Sequence, residues 1–176
     1  MTDKVLKFLS FSLLLLSSIT AGADTKPIDG VWANSPLGKC YSSLDQYLIS
    51  TYGPDYKNDE NIQTDDVLEN SHKYKWVRDI TPGINITRVM FELRKDQHAC
   101  ATLFIPFAST VRGIGIEKAT GLPAKFLALD SPPPGFPATE ILYQFDAKTS
   151  TYFPKHCLKR FLTGKKQKVN CASVFR

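Results

Sequence analysis

The chain alternates apolar segments of regular spacing with polar stretches rich in turn residues. The segment "SSLDQYLISTYG", 42–53, places its leucines and tyrosines on one face at helical spacing. Ser43 suits the N-cap of such a helix, and Gln46 fits the fourth position of a capping box. Gly53 and Pro54 follow the last tyrosine and end the pattern. The spacing therefore predicts one N-terminal helix.

Period-two alternation predicts strands over much of the remaining chain. Val89, Phe91 and Leu93 alternate with Met90, Glu92 and Arg94, residues 95–98 form a polar tip, and 99–107 return as an almost continuous apolar run. Together they predict a central hairpin with an inner strand beside a more exposed one. Further strands are predicted at 28–32, 74–80 and 110–116.

The polar stretch 54–73 has no clear period. Asp65 and Asp66 would suit the first turn of a short helix that begins at Thr64, because carboxylates are stabilised near helix N-termini. A short helix is the expectation for this stretch.

The C-terminal part of the chain predicts a three-stranded meander, with strands at 140–145, 151–162 and 166–175. Three consecutive prolines, 132–134, exclude regular structure just before it and predict a surface loop. The predicted fold class is therefore α+β. It is mainly antiparallel β-sheet, made of the central hairpin and the C-terminal meander, with one N-terminal helix and two disulfides.

The chain has four cysteines, an even number that predicts two disulfides if the protein is exported, as the N-terminal pattern described next indicates. A hairpin centred on Gly164 would place Cys157 opposite Cys171, at the β-carbon spacing of about 4.5–5.5 Å found between directly opposed residues. The same register sets two phenylalanines opposite each other on the same face. The favoured pairing is therefore Cys157–Cys171 with Cys40–Cys100.

The N-terminus has the pattern of a secretory signal peptide. Two lysines precede an apolar run at 8–19, and an A-x-A pattern follows at 21–23. Cleavage would leave 24–176, which has the length of a single domain. The apolar run is shorter than a membrane span, so we expect a periplasmic or secreted protein without a transmembrane segment in the mature chain.

Charge is unevenly distributed, although the formal net charge is only +5. Residues 155–176 contain seven basic residues and no acid, whereas 55–70 contain six acids and one lysine. In the predicted hairpin, Arg160, Lys166 and Lys168 share the side opposite the cysteines; we call these three residues the basic face. Solvation alone would account for such like charges. The alternatives are an anionic partner or the acidic segment of the same chain.

The acidic segment supplies the second candidate binding surface, with Asp59, Asp65 and Asp66. It does not match a calcium-binding EF-hand loop. Thr64 stands where that loop needs glycine, and Asn70 stands where it needs glutamate. No metal site is predicted.

Linear motifs of catalysis are absent from the sequence, which contains neither G-x-S-x-G nor H-E-x-x-H. His72, His98 and His156 have no metal-ligand spacing to one another. Gly113 and Gly115 lack the third glycine of a dinucleotide-binding loop. We therefore expect no cofactor and no enzyme activity. A hydrolase whose site has no linear motif is the second alternative.

Gly30-Val31-Trp32 resembles the G-x-W signature of lipocalins, whose barrel encloses an apolar ligand. The resemblance implies that Trp32 would close the floor of such a barrel. It covers three residues; the second lipocalin signature, T-D-Y, is absent, and the predicted helix falls where the barrel needs its next strand. No family is assigned on this basis. A carrier of a small apolar ligand, with a pocket near Trp32 and Trp76, is the first alternative.

The sequence is most typical of an exported, non-enzymatic binding protein of the inhibitor or immunity-protein kind. The partner would be another exported protein or an anionic surface. Nucleic acid is not expected, because the chain is predicted to be exported and its net charge is modest.

Overall fold

A computed structural model describes residues 35–69, 71–81 and 85–174. The predicted signal peptide and the predicted strand at 28–32 lie outside these ranges. In chain order, the elements are β1 (Cys40–Tyr41), α1 (Leu44–Tyr52), β2 (Ile62–Leu68), β3 (Ser71–Asp79), β4 (Ile86–Leu93), β5 (Ala99–Ala108), β6 (Thr110–Ile114), β7 (Lys125–Leu129), β8 (Ala138–Asp146), β9 (Thr151–Arg160) and β10 (Lys166–Val169). Short 3₁₀ helices occupy Tyr56–Asn58 and Cys171–Ser173.

The strands form two antiparallel sheets of five strands each. The first sheet has the order β1-β5-β4-β3-β2, and the second sheet has the order β10-β9-β8-β7-β6. Only Ser109 separates the end of β5 from the start of β6, and its backbone N–H donates to the Leu129 carbonyl of β7. The chain therefore passes from one sheet to the other within a single residue. The prediction of a mainly antiparallel β fold with one helix is confirmed.

Helix α1 forms where the sequence predicts it. The Ser43 hydroxyl accepts a hydrogen bond from the Gln46 backbone N–H at 3.0 Å, and so satisfies one of the free donors of the first turn. Gly53 ends the helix with φ 93°, a conformation that favours glycine. Tyr47 and Leu48 are the buried residues of the helix.

The hydrophobic core lies between the sheets and beneath α1. Val89, Met90 and Phe91 are consecutive and all buried, so β4 is covered on both faces. Phe91 lies 4.6 Å from the ring of Tyr47 in α1, measured between centroids. Residues on the other face of the first sheet meet the second sheet, as the Trp76–Phe126 ring contact at 5.7 Å shows.

Both predicted disulfides are present. Cys40 and Cys100 are directly paired residues of β1 and β5, and their sulfurs are bonded. Cys157 of β9 is bonded to Cys171, which lies beyond the end of β10.

The predicted register of the β9–β10 hairpin is wrong by two residues. Lys166 pairs with Arg160, and Cys157 faces Val169 instead of Cys171. The turn explains the shift, because Gly164 is the last residue of a three-residue loop and not its centre. Its φ of 79° and the hydrogen bond from the Phe161 N–H to the Lys165 carbonyl are typical of that loop.

The backbone turns directly after β10, and this turn lets the two cysteines meet in the shifted register. Strand β10 stops at Val169, earlier than predicted, and Asn170 turns the backbone by accepting the Ala172 N–H at 3.0 Å. This 3₁₀ turn brings the Cα of Cys171 within 5.2 Å of the Cα of Cys157. A shift of two residues leaves Cys157, Arg160, Lys166 and Lys168 on their predicted faces, because strands alternate with a period of two. Phe153 was predicted on the cysteine side and lies on the opposite side, because the β8–β9 register shifts between Pro154 and His156.

The helix expected from Thr64 does not form. This segment is β2, the edge strand of the first sheet. Asp65 and Asp66 pair in register with Trp76 and Lys75 of β3. The carboxylates pair with cations of β3, Asp65 with Arg78 and Asp66 with Lys75, instead of lying at a helix N-terminus.

Within the described ranges, no helix has the length and apolar character needed to cross a lipid bilayer.

Candidate functional site

Acidic and basic residues are unevenly distributed between the two halves of the described chain. Residues 35–109 contain eight basic and ten acidic residues, whereas 110–169 contain ten basic and four acidic residues. The first range contains the first sheet, and the second range contains the second sheet. The second sheet therefore has the electrostatic character of a surface that attracts anions.

One side of the second sheet faces the core and the other side faces outward. Phe126, Ile141, Tyr143 and Cys157 are buried in the core. Side chains alternate along a strand, so the positions between them point to the opposite side, which we call the outer face. The registers place four cross-strand rows there: Ile114, Lys125, Gln144 and Phe153; Arg112, Leu127, Leu142 and His156; Thr110, Leu129, Glu140, Leu158 and Lys168; and Ala138, Arg160 and Lys166.

Leucines lie in the middle of this outer face and cations lie around them. The four leucines of the middle rows are half-buried, whereas the Phe153 side chain at the end of a row is exposed. The one carboxylate in these rows is Glu140. An apolar centre with a charged rim is the usual anatomy of a protein–protein interface.

Glu140 is the acidic residue that pairs with the basic face. Its Oε2 accepts from the Arg160 guanidinium at 2.7 Å and lies 3.3 Å from the Lys166 ammonium nitrogen. Burial acts to raise the pKa of Glu140, but the hydrogen bonds from Arg160 and Lys166 outweigh it and lower the pKa below its ordinary value. Within the described chain no ion pair forms at Lys168, so the face keeps a net positive charge.

The acidic segment is engaged elsewhere. Asp65 pairs with Arg78, and Asp66 lies 2.7 Å from the Lys75 ammonium nitrogen. Asp59 accepts two hydrogen bonds from Asn61 at 2.9 Å. The structure does not place these three aspartates against the basic face. They stabilise the edge of the first sheet and the turn before it.

A groove opens at one end of the outer face, between the proline loop and the tip of the β9–β10 hairpin. It has a volume of about 510 Å³ and is lined by Pro132–Pro134, Phe136, Arg160 and Leu162, among others. Leu162 is 83% exposed and Phe136 is 64% exposed. Two large apolar side chains therefore stand in solvent beside a residue of the basic face.

The Asn85 side chain helps to hold the proline loop in place. Asn85 accepts the Ser131 N–H at 2.8 Å and donates to the Ser131 carbonyl at 3.2 Å. Consecutive prolines have fixed φ values, so the loop loses little further conformational entropy when a partner binds in the groove. The groove is thus preorganised.

Exposed apolar side chains concentrate on this half of the molecule. Of the seven large apolar side chains that are exposed in the described ranges, five lie between residues 110 and 169: Ile114, Ile116, Phe136, Phe153 and Leu162. Clustering of this kind is more informative than a single exposed leucine, because scattered apolar residues are normal on protein surfaces.

The histidines lie at the surface. His72 and His98 each have a ring nitrogen 3.0 Å from an aspartate oxygen, of Asp66 and Asp96 respectively. Among the described residues, no group of three or more histidines, cysteines or carboxylates is arranged to hold a metal ion.

Replacing Glu140 by glutamine tests the ion pairs of the basic face. The pKa of Glu140 is lowered in the folded protein, so its charge stabilises the fold above the ordinary pKa of 4.5 and that contribution is lost as pH falls through the lowered value. We expect Glu140→Gln to lower the free energy of unfolding by up to about 1 kcal/mol at neutral pH. At about pH 3 the loss should shrink toward zero.

Urea unfolding of both proteins at the two pH values measures this difference. Glu117→Gln is the matched control, since Glu117 lies outside the rows of the outer face. An equal loss at both pH values would show that the carboxylate charge does not stabilise the fold.

Comparison of the chain with protein-family models, with curated proteins and with solved structures found no match.

Proposed function

We propose that the protein is an exported binding protein that docks, through the outer face and its groove, on another exported protein with an acidic surface. The observation that carries the proposal is the pairing of exposed apolar anchors with a basic rim. Leu162 and Phe136 stand in solvent next to Arg160, which belongs to the basic face. This combination fits an inhibitor or immunity-type protein better than a catalyst.

Export is supported by the covalent structure. Two disulfides persist in oxidising compartments and are rare in the cytosol of most organisms. A periplasmic or secreted location also suits the predicted signal peptide at 1–23. The proposed partner therefore shares that compartment.

Hydrophobic anchors are expected to supply most of the affinity, and the cations to supply orientation and association rate. Glu140 neutralises part of the basic face, which leaves Lys168 as its cation without an ion pair in the described chain. An acidic group of the partner placed near Lys168 would be favoured, whereas a basic partner surface would be repelled. An acidic surface is therefore the expected partner chemistry.

The experiment begins with capture of exported proteins on the immobilised mature chain, 24–176, at low and high salt. A captured acidic protein is then purified and its Kd is measured with variants. We expect Phe136→Ser combined with Leu162→Ser to weaken binding about 30-fold, because truncation of the two anchors should together cost about 2 kcal/mol. Both side chains are exposed, so the fold should be unaffected.

Charge reversal at Arg160, Lys166 and Lys168 is the complementary variant. It should slow association and remove most of the salt dependence of binding. Its matched control makes the same change in charge away from the outer face, at Lys95, Lys118 and Lys148, and should leave the Kd within about twofold. Equal losses from both triple variants, or an unchanged Kd for the double serine variant, would refute this docking face.

A further inference from the structure

A second concave site lies away from the outer face, between the two sheets. It is a cleft of about 270 Å³ lined by Asp65, Trp76, Arg78, Arg88, Val111 and Phe126. Its walls come from β2, β3 and β4 of the first sheet and from β6 and β7 of the second. Asp65 and Arg78 remain 48% and 33% exposed, so the cleft opens to solvent beside them.

Two arginines share one wall of this cleft. Arg78 and Arg88 are directly opposed residues of β3 and β4, so their side chains leave the sheet on the same side. Like charges in that position destabilise a sheet. Burial, and next to it the charge of Arg78, lower the pKa of Arg88 from its ordinary value. The two opposed arginines therefore lower the stability of the fold, and packing alone does not explain their placement.

The guanidinium of Arg88 is held by the backbone. Its Nη1 donates to the Ala108 carbonyl at 2.5 Å and to the Ile86 carbonyl at 3.3 Å. These bonds fix the position of the positive charge, and carbonyl oxygens do not neutralise it. No carboxylate of the described chain pairs with Arg88.

The guanidinium of Arg78 is only partly satisfied. Its Nη2 pairs with the Asp65 carboxylate. Its Nε is buried and has no hydrogen-bond partner among the described residues. A buried donor without a partner is costly and is uncommon in native proteins. The cleft is thus lined by two guanidinium groups and one carboxylate, that of Asp65, which leaves a net charge of one positive unit.

Aromatic rings lie beside and across from the two arginines. Trp76 lies beside Arg78 along β3, and its ring meets Phe126 of β7 edge to face, with 5.7 Å between centroids. Val111 of β6 completes the apolar lining. A planar apolar body is the shape that such a wall accommodates.

We propose that this cleft binds a small aromatic carboxylate, with its carboxylate at the two guanidinium groups and its ring against Trp76 and Phe126. Guanidinium groups match the planar, two-oxygen geometry of a carboxylate, and the net charge of the cleft suits a monoanion. The cleft is separate from the docking face, so an experiment can refute either proposal without refuting the other.

Calorimetric titration of the mature chain with benzoate tests the proposal directly. A saturable Kd of about 1 mM or below is expected for a ligand of this size. Benzamide, which has nearly the same shape and no charge, should bind at least about tenfold more weakly. Inorganic phosphate should also bind more weakly than benzoate, because it cannot use the aromatic wall. These comparisons use only the unmodified protein, so they test the proposal even if a variant does not fold.

Variants assign the binding to the arginines. Arg78→Gln should weaken benzoate binding about tenfold, and Arg78→Lys should fall between it and the unmodified protein. The melting temperature of Arg78→Gln should change little, since the loss of the ion pair with Asp65 is offset by removal of a like-charge contact and a buried unpaired donor. Arg94→Gln is the matched control, because Arg94 lies beyond the other end of β4 and should leave benzoate binding unchanged.

Three results would overturn the proposal. One is the absence of saturable benzoate binding at concentrations about tenfold above the expected Kd. Another is equal binding of benzoate and benzamide. The third is an equal loss in Arg78→Gln and Arg94→Gln.

Discussion

Removal of the Cys40–Cys100 disulfide is expected to lower the free energy of unfolding by about 4 kcal/mol. The two cysteines are 60 residues apart in sequence, so the bond closes a long loop in the unfolded chain and restricts its entropy. In the folded protein the bond joins a two-residue edge strand, β1, to the buried strand β5. The variant Cys40→Ala with Cys100→Ala removes both effects at once.

The Cys157–Cys171 disulfide provides the internal comparison. Its cysteines are 14 residues apart, so the corresponding double alanine variant should lose about 3 kcal/mol. Urea unfolding of the two variants under identical conditions measures both losses. A larger loss for the shorter loop would contradict the loop-entropy argument. A loss below about 1 kcal/mol for Cys40–Cys100 would mean that β1 detaches without unfolding the rest.

Truncation of Phe91 to alanine is the second change with a large expected effect. The side chain is fully buried and lies against Tyr47 of α1, with Tyr41 of β1 at 6.1 Å between ring centroids. It therefore joins the helix to the first sheet through an aromatic cluster. Removing the ring loses its transfer free energy and leaves a cavity, so the free energy of unfolding should fall by about 3–5 kcal/mol.

Phe153→Ala is the matched control for that change. The Phe153 side chain lies on the outer face and is 39% exposed, so its truncation should cost about 1 kcal/mol or less. Thermal or urea unfolding compares the two variants. A difference smaller than about 1 kcal/mol would show that the Phe91 site collapses around the cavity or that the cluster adds little.

Elements with strong local signals were predictable from sequence. Helix α1 has an N-cap serine, a regular apolar face and a glycine at its end, all within a dozen residues. The β4–β5 hairpin has two apolar arms, the second of them almost continuous, on either side of a polar tip. In both cases the information lies in neighbouring residues, which is where propensity and periodicity are reliable.

Elements that depend on distant partners were missed. A short helix was expected to begin at Thr64, but this stretch is strand β2, which pairs with β3 and whose Asp65 and Asp66 meet cations there. Strand β7 was not predicted at all, since "KFLAL" is short and lies between turn residues. It forms because β6 and β8 pair with it on both sides.

The candidate site was predictable only in part. Arg160, Lys166 and Lys168 were assigned to a common face, and the structure keeps them on one face despite the shifted register. Glu140 was missed, although its place among alternating apolar residues in "TEILYQF" marks it as facing away from the core. The groove at Leu162 needed the proline loop, which is distant in sequence.

The sequence by itself determined the helix, the central hairpin and the common face of Arg160, Lys166 and Lys168. These features follow from local periodicity, which a change of register by two residues preserves, whereas the bulge in β9 that moves Phe153 to the outer face depends on pairing with β8. Only the tertiary structure decided which charges meet. Asp65 pairs with Arg78, Glu140 with the basic face, and Arg88 with no carboxylate in the described chain, because strand pairing sets these distances and local sequence does not encode them.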